Sequence, residues 1–422
     1  MKIDIDALFQ KRKDEPVWNT SYPLSPIDWD AYRVVRPLSF AKEKYLSFYV
    51  HIPFCKQLCS FCEYSRILCP NEDWQRRYIN ILGHDICKFL SEYDDFVLKG
   101  FDIGGGTPTA LSEVSIAYLL DIYDYVVSRI EKAFDYEPSI EGSFNTITEG
   151  KLRRVVQSDI FRLSLGIQST SHSLLKSYNR ESVSLGVMKD KLNMAYKCGI
   201  KKVNLDLMYG LKFQSADTLL NDLNIIRELS PEQVTLYELR TNSIKENVHF
   251  CKSELYGQYL LLFEGLVDMG YIARFGQNTF SRNIDDFGTS SYLRNRMLQG
   301  VSYKGFGLSA QSMTSEGLSY NLGKKPGFTL EMLSSPSFFE QDIYMLPNHE
   351  LASKYIAISA YNGSFSLSCL SRILRQDAWT YYEQQIIYCL ENGLLEFDGD
   401  RFYITRRGFM YYGAVFSLFY AN

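Results

Sequence analysis

What this chain lacks narrows its function before any motif is considered. It has no run of about 18 apolar residues, so no membrane-crossing helix is expected. Its start, MKIDIDALFQKRKDEP, carries charges with no apolar run behind them and does not read as a secretory signal. Charge of neither sign dominates: 45 Lys and Arg stand against 49 Asp and Glu, a formal net charge of −4. That balance does not point to nucleic acid as a partner. Histidine is scarce, and His51, His84, His172, His249 and His349 show no metal-pair spacing. Low-complexity segments are absent, as are repeats other than a strand–helix alternation. The nine cysteines lack the even count and spread of a disulfide framework. A reducing, cytoplasmic setting with one metal site is the expectation.

What is present supports a large core. The chain has 422 residues, 46% hydrophobic and 22% charged, enough for one large domain and a smaller one. Residues 1–44 contain four prolines and read as a lead-in. From Tyr45 short β-branched and aromatic runs alternate with helical periodicity. Strands are expected at 45–52, 96–103, 138–144, 161–168, 201–210 and 233–239. The helices between and after them fall at 73–93, 112–134, from 148, 182–199, 215–229 and 254–270. Six strand–helix units in succession imply parallel strands with right-handed crossovers. Six are too few to close an eight-unit barrel, so the fold class is α/β, a partial (β/α)6 TIM-like barrel over 45–285. Its site belongs at the C-terminal ends of the strands. Residues 286–345 are rich in Gly, Ser and Tyr and read as a bridging or lid segment. Residues 346–422 read as helices, a hairpin turning at Asp398-Gly399-Asp400 and a last apolar helix at 407–420. That is the outline of a small winged-helix-like α+β domain.

The chemistry concentrates in HIPFCKQLCSFCEY, where Cys55, Cys59 and Cys62 are spaced C-x3-C-x2-C. Three thiolates on one short loop can bind three irons of a four-iron four-sulfur cluster and leave the fourth iron open. A zinc loop would normally add a second cysteine pair, which this sequence does not have. IGGGTPT follows the second strand, where glycines let backbone approach a ligand. Glu141 in SIEGSF is a strand-end carboxylate, and Asp206 in NLDLMYGL is a carboxylate inside an apolar strand, a position that calls for a partner.

YVHIPFCKQLCSFCEY resembles the radical S-adenosylmethionine (SAM) superfamily and, within it, the oxygen-independent coproporphyrinogen III oxidase-like (HemN-like) family. The likeness runs from about Tyr45 through the C-terminal part. It implies a 4Fe-4S cluster on Cys55, Cys59 and Cys62, with SAM filling the open iron and being cleaved reductively to a 5′-deoxyadenosyl radical. It also implies a one-electron reductant such as flavodoxin or ferredoxin, and a small-molecule substrate. Gly105 would bind the amino end of SAM, with Glu141 accepting from its ammonium group. Arg180 would pair with its carboxylate and Asp206 with its ribose. Tyr49, Phe61 and Gln168 would be further cofactor contacts, with Gly106 and Thr107 facing a second SAM.

The sequence also departs from that family. The decarboxylating oxidase has a further cysteine where this chain has Tyr64, which argues against porphyrinogen decarboxylation. The haem-chaperone branch has an HNxxYW-like segment that 290–312 lacks, which argues against haem handling. Arg240 and Gln311 stand where the oxidase lines its second cofactor site with apolar residues, and Lys212 replaces a proline. What remains is C-methylation or cyclopropanation of an unsaturated carbon using a second SAM. A tetrapyrrole enzyme or haem-handling protein is the alternative, and a non-catalytic iron–sulfur protein the third reading. The 31 tyrosines hint at a planar or aromatic ligand.

Overall fold

The computed structural model describes residues 4–14, 22–239, 251–323 and 330–421. The chain opens with helix α1 (Ile5–Asp14), inside the segment expected as an irregular lead-in. Six strand–helix units follow: β1 (Tyr45–Ile52), α2 (Glu72–Glu92), β2 (Val97–Gly105), α3 (Glu113–Val127), β3 (Ser139–Gly142) and α4 (Glu149–Gln157) make the first three. The next are β4 (Arg162–Gln168), α5 (His172–Ser177), α6 (Leu185–Cys198), β5 (Lys202–Tyr209), α7 (Ala216–Leu229), β6 (Gln233–Glu238) and α8 (Lys252–Asp268). Six of these helices start alike. The side chains of Asn71, Ser112, Thr148, Ser171, Ser184 and Ser215 each accept from the backbone N–H three residues on. That satisfies donors a helix start leaves unpaired. Helix α6 ends at Gly199 with φ +107°, the left-handed cap expected there. Short α5 has no counterpart in the sequence reading.

The segment expected as a bridge or lid contributes four strands to the main sheet. Strand β7 (Thr279–Ser281) comes just before it, and within it lie α9 (Ser291–Leu298), β8 (Ser302–Phe306), β9 (Gln311–Met313), β10 (Gly317–Asn321) and β11 (Glu340–Met345). The sheet order is β11-β10-β9-β8-β1-β2-β3-β4-β5-β6-β7, with Arg33–Val34 on the outer edge of β11. Strands β8 and β1 through β6 run parallel. The order is linear rather than closed, which makes an open barrel extended by antiparallel strands.

Register decides which side chains face the barrel interior. Pairs Gly305↔Tyr49, Tyr49↔Asp102, Glu141↔Ser164, Gly166↔Asp206 and Asp206↔Thr235 put these residues on one face. Residues between them face the helices: Phe48, for instance, packs edge-on against Phe89, Phe101 and Phe306 at 5.2–5.9 Å. Each such buried ring contributes about 1.5–3 kcal/mol. The interior face is polar, and it is where the site lies.

Beyond β11, α10 (Asn348–Ser359), β12 (Ser364–Ser366), α11 (Leu367–Leu374), α12 (Ala378–Tyr381) and α13 (Glu383–Glu391) lead into the hairpin β13 (Leu395–Phe397) and β14 (Arg401–Ile404). Strand β12 joins the hairpin in a three-stranded sheet, as in a winged helix. The apolar stretch at 407–420 is two short helices, Arg406–Phe409 and Tyr412–Ser417, rather than one. Ile5 and Phe9 of α1 are buried, and the Phe9 ring lies 5.7 Å from Tyr388 of α13. Among the described residues no helix is long and apolar enough to cross a membrane.

Candidate active site

The cysteine loop leaves the C-terminal end of β1, and neighbouring backbone fixes it from both sides. Cys69 N–H donates to the Cys55 carbonyl at 2.8 Å, and Ser60 N–H to the Tyr178 carbonyl at 3.0 Å. Cys69 thus holds the loop through its backbone, while its sulfur turns to Gln75 and the Ala110 carbonyl. His51 lies beneath the loop, with Nε2 2.9 Å from the Ser65 carbonyl and Nδ1 3.2 Å from the Tyr49 hydroxyl. Burial pulls its pKa down to about 4, so the ring is neutral and acts as a strut.

Cys55 and Cys59 are buried and Cys62 half-buried. Burial pushes the Cys55 thiol up to about 11, against a hydrogen bond from Thr107, whose Oγ1 is 3.7 Å from its sulfur. Burial raises Cys62 too, partly offset by Arg66. A bound cation would draw the Cys55 and Cys62 thiols back toward the thiolate. Among the described residues no three His, Cys, Asp or Glu converge on a single ion position. The donor set, three cysteine sulfurs on one short loop, suits the irons of a four-iron four-sulfur cluster.

The glycine triplet lies directly against this loop. A Cβ on Gly106 would sit 2.9 Å from the Cys55 sulfur, and one on Gly105 (φ +114°) 2.5 Å from His51 Nδ1. Only glycine lets the end of β2 pass this close. Gly105 N–H donates to Glu141 Oε2 at 3.0 Å, which lowers the Glu141 pKa, but burial is the larger effect and raises it.

Strands β4 and β5 supply the opposite wall. Gln168 ends β4 with φ +70°, and its amide lies 2.6 Å from where a Gly166 side chain would begin. Arg180 donates to the Gly166 carbonyl and reaches the Cys59 sulfur at 3.4 Å. Cys59, Thr107, Gly166 and Arg180 line one cavity. Asp206 accepts from Asn204 at 2.7 Å and Ser164 at 3.3 Å, and burial pushes its pKa up to about 7. Phe61 is buried with its ring tilted 57° against Tyr178, 5.7 Å between centroids. The Tyr178 hydroxyl accepts from Lys212 N–H at 2.7 Å. A proline at this position would have no N–H to give. Tyr64 is 60% exposed.

Of the remaining candidates, Tyr49 stacks on Tyr292 at 5.7 Å and 25°. Gln311 lies in a separate network with Arg296, Tyr303 and Tyr320. Arg240 and His249 lie outside the described residues. Sequence reasoning missed Asp222, which is buried in α7. It accepts from Thr170 N–H at 2.6 Å and from the Ser169 and Thr170 hydroxyls, clamping the turn after Gln168. It also missed Asp102, buried in β2. One oxygen of Asp102 accepts from Ser290 at 2.5 Å and the other has no partner among the described residues.

Comparison with known proteins follows the same lines. Residues 49–226 match the Radical SAM superfamily. The haem chaperone HemW of Haemophilus influenzae is 33% identical over 213 residues, which cover 49% of this chain and 53% of that protein. That match therefore spans about half the relative's length. The HemW of Lactococcus lactis is 24% identical over 88% of this chain and 97% of its own. Among solved structures, the coproporphyrinogen III oxidase HemN of Escherichia coli shares the fold. Its TM-score is 0.72 at 22% identity, covering 89% of this chain and 90% of the oxidase.

Proposed function

We propose, from a chain whose residues 49–226 form a radical SAM domain, that this is a SAM-cleaving protein whose substrate or cargo is a tetrapyrrole. The observation that carries the tetrapyrrole is the Lactococcus relative, a haem chaperone matched over 97% of its length. That match takes in the C-terminal part as well as the cysteine loop. The expectation of methyl transfer, drawn from Tyr64 and the missing HNxxYW segment, has no comparable support and gives way. The tetrapyrrole reading rests on likeness over 88% of the chain, an analogy with that relative.

The residues fit the group the superfamily implies. Cys55, Cys59 and Cys62 would hold the 4Fe-4S cluster. Bound and reduced, it supplies the electron that breaks a carbon–sulfur bond of SAM. Glu141, already accepting from Gly105, would take the cofactor's ammonium group on its remaining lone pairs. The Arg180 fork, poised over Cys59, suits the carboxylate, and Asp206 suits the ribose hydroxyls. The glycine triplet would leave room for the cofactor's amino-acid end, and the packed rings of Phe61 and Tyr178 would exclude water from one flank.

Anaerobic reconstitution followed by dithionite and SAM tests the first half, with 5′-deoxyadenosine as the expected product. A fully loaded cluster that yields none would overturn it. Adding haem or coproporphyrinogen III tests the second half, through tight binding or conversion. If S-adenosylhomocysteine accumulates instead, with no tetrapyrrole bound, methyl transfer is reinstated.

A further inference from the structure

Helix α9 packs its backbone straight onto β2. A Cβ on Gly100 would lie 2.4 Å from Tyr292 N, so only glycine admits the helix there. This contact sets Tyr292 against Tyr49 at the edge of the cofactor cradle. One turn on, Arg296 Nη1 donates to the Tyr292 hydroxyl at 3.2 Å, and Nη2 donates to Gln311 Oε1 at 2.9 Å. The guanidinium lies over the Tyr303 ring, 4.4 Å from its centroid. Gln311 Oε1 also accepts from Tyr303, and Gln311 Nε2 donates to Tyr320 at 2.6 Å.

Every partner in this network is neutral. Arg33, Arg154 and Arg294 are each paired with aspartates. Arg296, among the described residues, has no carboxylate in reach. Its Nε is enclosed without an acceptor, yet the side chain as a whole keeps part of its surface open. The Tyr292 hydroxyl only accepts, so its own proton has no acceptor among the described residues. A half-buried cation with spare donors and no counter-charge is unfavourable until an anion completes it.

Its place says which anion. Pairs Tyr303↔Ser47, Tyr303↔Met313 and Gln311↔Tyr320 put Tyr303, Gln311 and Tyr320 on the face that carries Tyr49 and Glu141. The network thus lies on the same sheet face as the cofactor cradle, on the strands beyond β1. We infer that Arg296, assisted by the Tyr292 hydroxyl and held in place by Gln311, seats a carboxylate of the substrate. The choice of ligand rests on the tetrapyrrole reading, since haem carries propionate side chains. A forked guanidinium suits that group.

Haem and its dimethyl ester, titrated into the cluster-loaded protein, separate the possibilities. Wild type should bind the acid more tightly than the ester. Arg296→Gln should weaken the acid about 10- to 100-fold and the ester little. Arg296→Lys should restore part of the loss, and Tyr292→Phe, which keeps the ring stack, should cost a few-fold. Circular dichroism and iron content report whether each variant is folded. If acid and ester bind alike and Arg296→Gln changes neither, the carboxylate seat is overturned while the tetrapyrrole reading stands. If neither binds wild type, that reading falls and this assignment with it. If Arg296→Gln instead loses a bound SAM in equilibrium dialysis, the anion is the cofactor's and the assignment is overturned.

Discussion

Gly105 and Glu141 are joined across adjacent strands by a 3.0 Å hydrogen bond from amide to carboxylate, and the neighbouring Gly104 leaves that carboxylate its room. A Cβ on Gly104 would lie 2.6 Å from the Glu141 carboxyl carbon. Gly104→Ala should therefore displace Glu141 without touching a cysteine. SAM affinity should fall about 10- to 100-fold, the size of a lost hydrogen bond to a charged group. Iron content should hold. Calorimetric titration of SAM beside an iron assay checks both, and unchanged SAM affinity would remove Glu141 from the cradle.

Asp102 predicts a pH dependence of stability. Burial pushes its pKa up to about 7 from an ordinary 3.8, with the Ser290 hydroxyl pulling the other way. The folded chain thus keeps a proton that the unfolded chain gives up. The resulting stability is fully present below about pH 4 and lost as pH rises through about 7. Asparagine cannot ionise, so Asp102→Asn should escape that loss. Its advantage over wild type should be smallest near pH 4, grow by roughly 1.4 kcal/mol per pH unit above that, and level off above about pH 7. Melting curves of both proteins across that range decide it. A difference that does not vary with pH would mean that Asp102 is not protonated in the fold.

The cysteines should label in an order set by burial and local charge. Cys251 is exposed, and hydrogen bonding by Ser253 lowers its pKa. Cys389 is wholly buried and its thiol is pushed up by burial, while Cys55 is held near 11. In cluster-free protein at neutral pH, iodoacetamide should modify Cys251 well before Cys55, and Cys389 last. Cluster loading should then protect Cys55, Cys59 and Cys62 further. Peptide mass spectrometry over time reads the order, and early modification of Cys55 would contradict the loop geometry.

The strand–helix alternation was legible because both periods are carried by apolar residues. Strand β1 falls at Tyr45–Ile52 as read, and the helix starts announce themselves as Asn, Ser or Thr. The strands of 286–345 were not legible, because they are short and their inward residues, such as Tyr303, Gln311 and Tyr320, serve a polar network. Helix α1 left a signal in Ile5, Leu8 and Phe9 at helical spacing, weakened by the charges that follow. Cys55, Cys59 and Cys62 were plain from spacing alone. Asp222 and Arg296 were not. On a helix such a charge reads as solvated, and only the tertiary fold brings Ser169 to the one and Tyr303 to the other.

Gly363 tests the join between the barrel and the C-terminal sheet. It has φ +63°, and a Cβ there would lie 2.6 Å from the Gly276 carbonyl oxygen and 2.7 Å from its carbon. Backbone on both sides leaves no flexible side chain to yield. Its carbonyl also accepts from Ile404 N–H at 2.8 Å, which ties the contact to β14. Gly393 is a natural control, with φ +61° and nothing within 4 Å of an added Cβ. Gly393→Ala should therefore cost only the left-handed conformation, about 1–2 kcal/mol. Gly363→Ala should cost that plus the clash, about 1–3 kcal/mol more. Urea unfolding of the two variants under identical conditions isolates the second part. Equal losses would show that the loop at Gly276 can retreat and that the join is looser than its geometry.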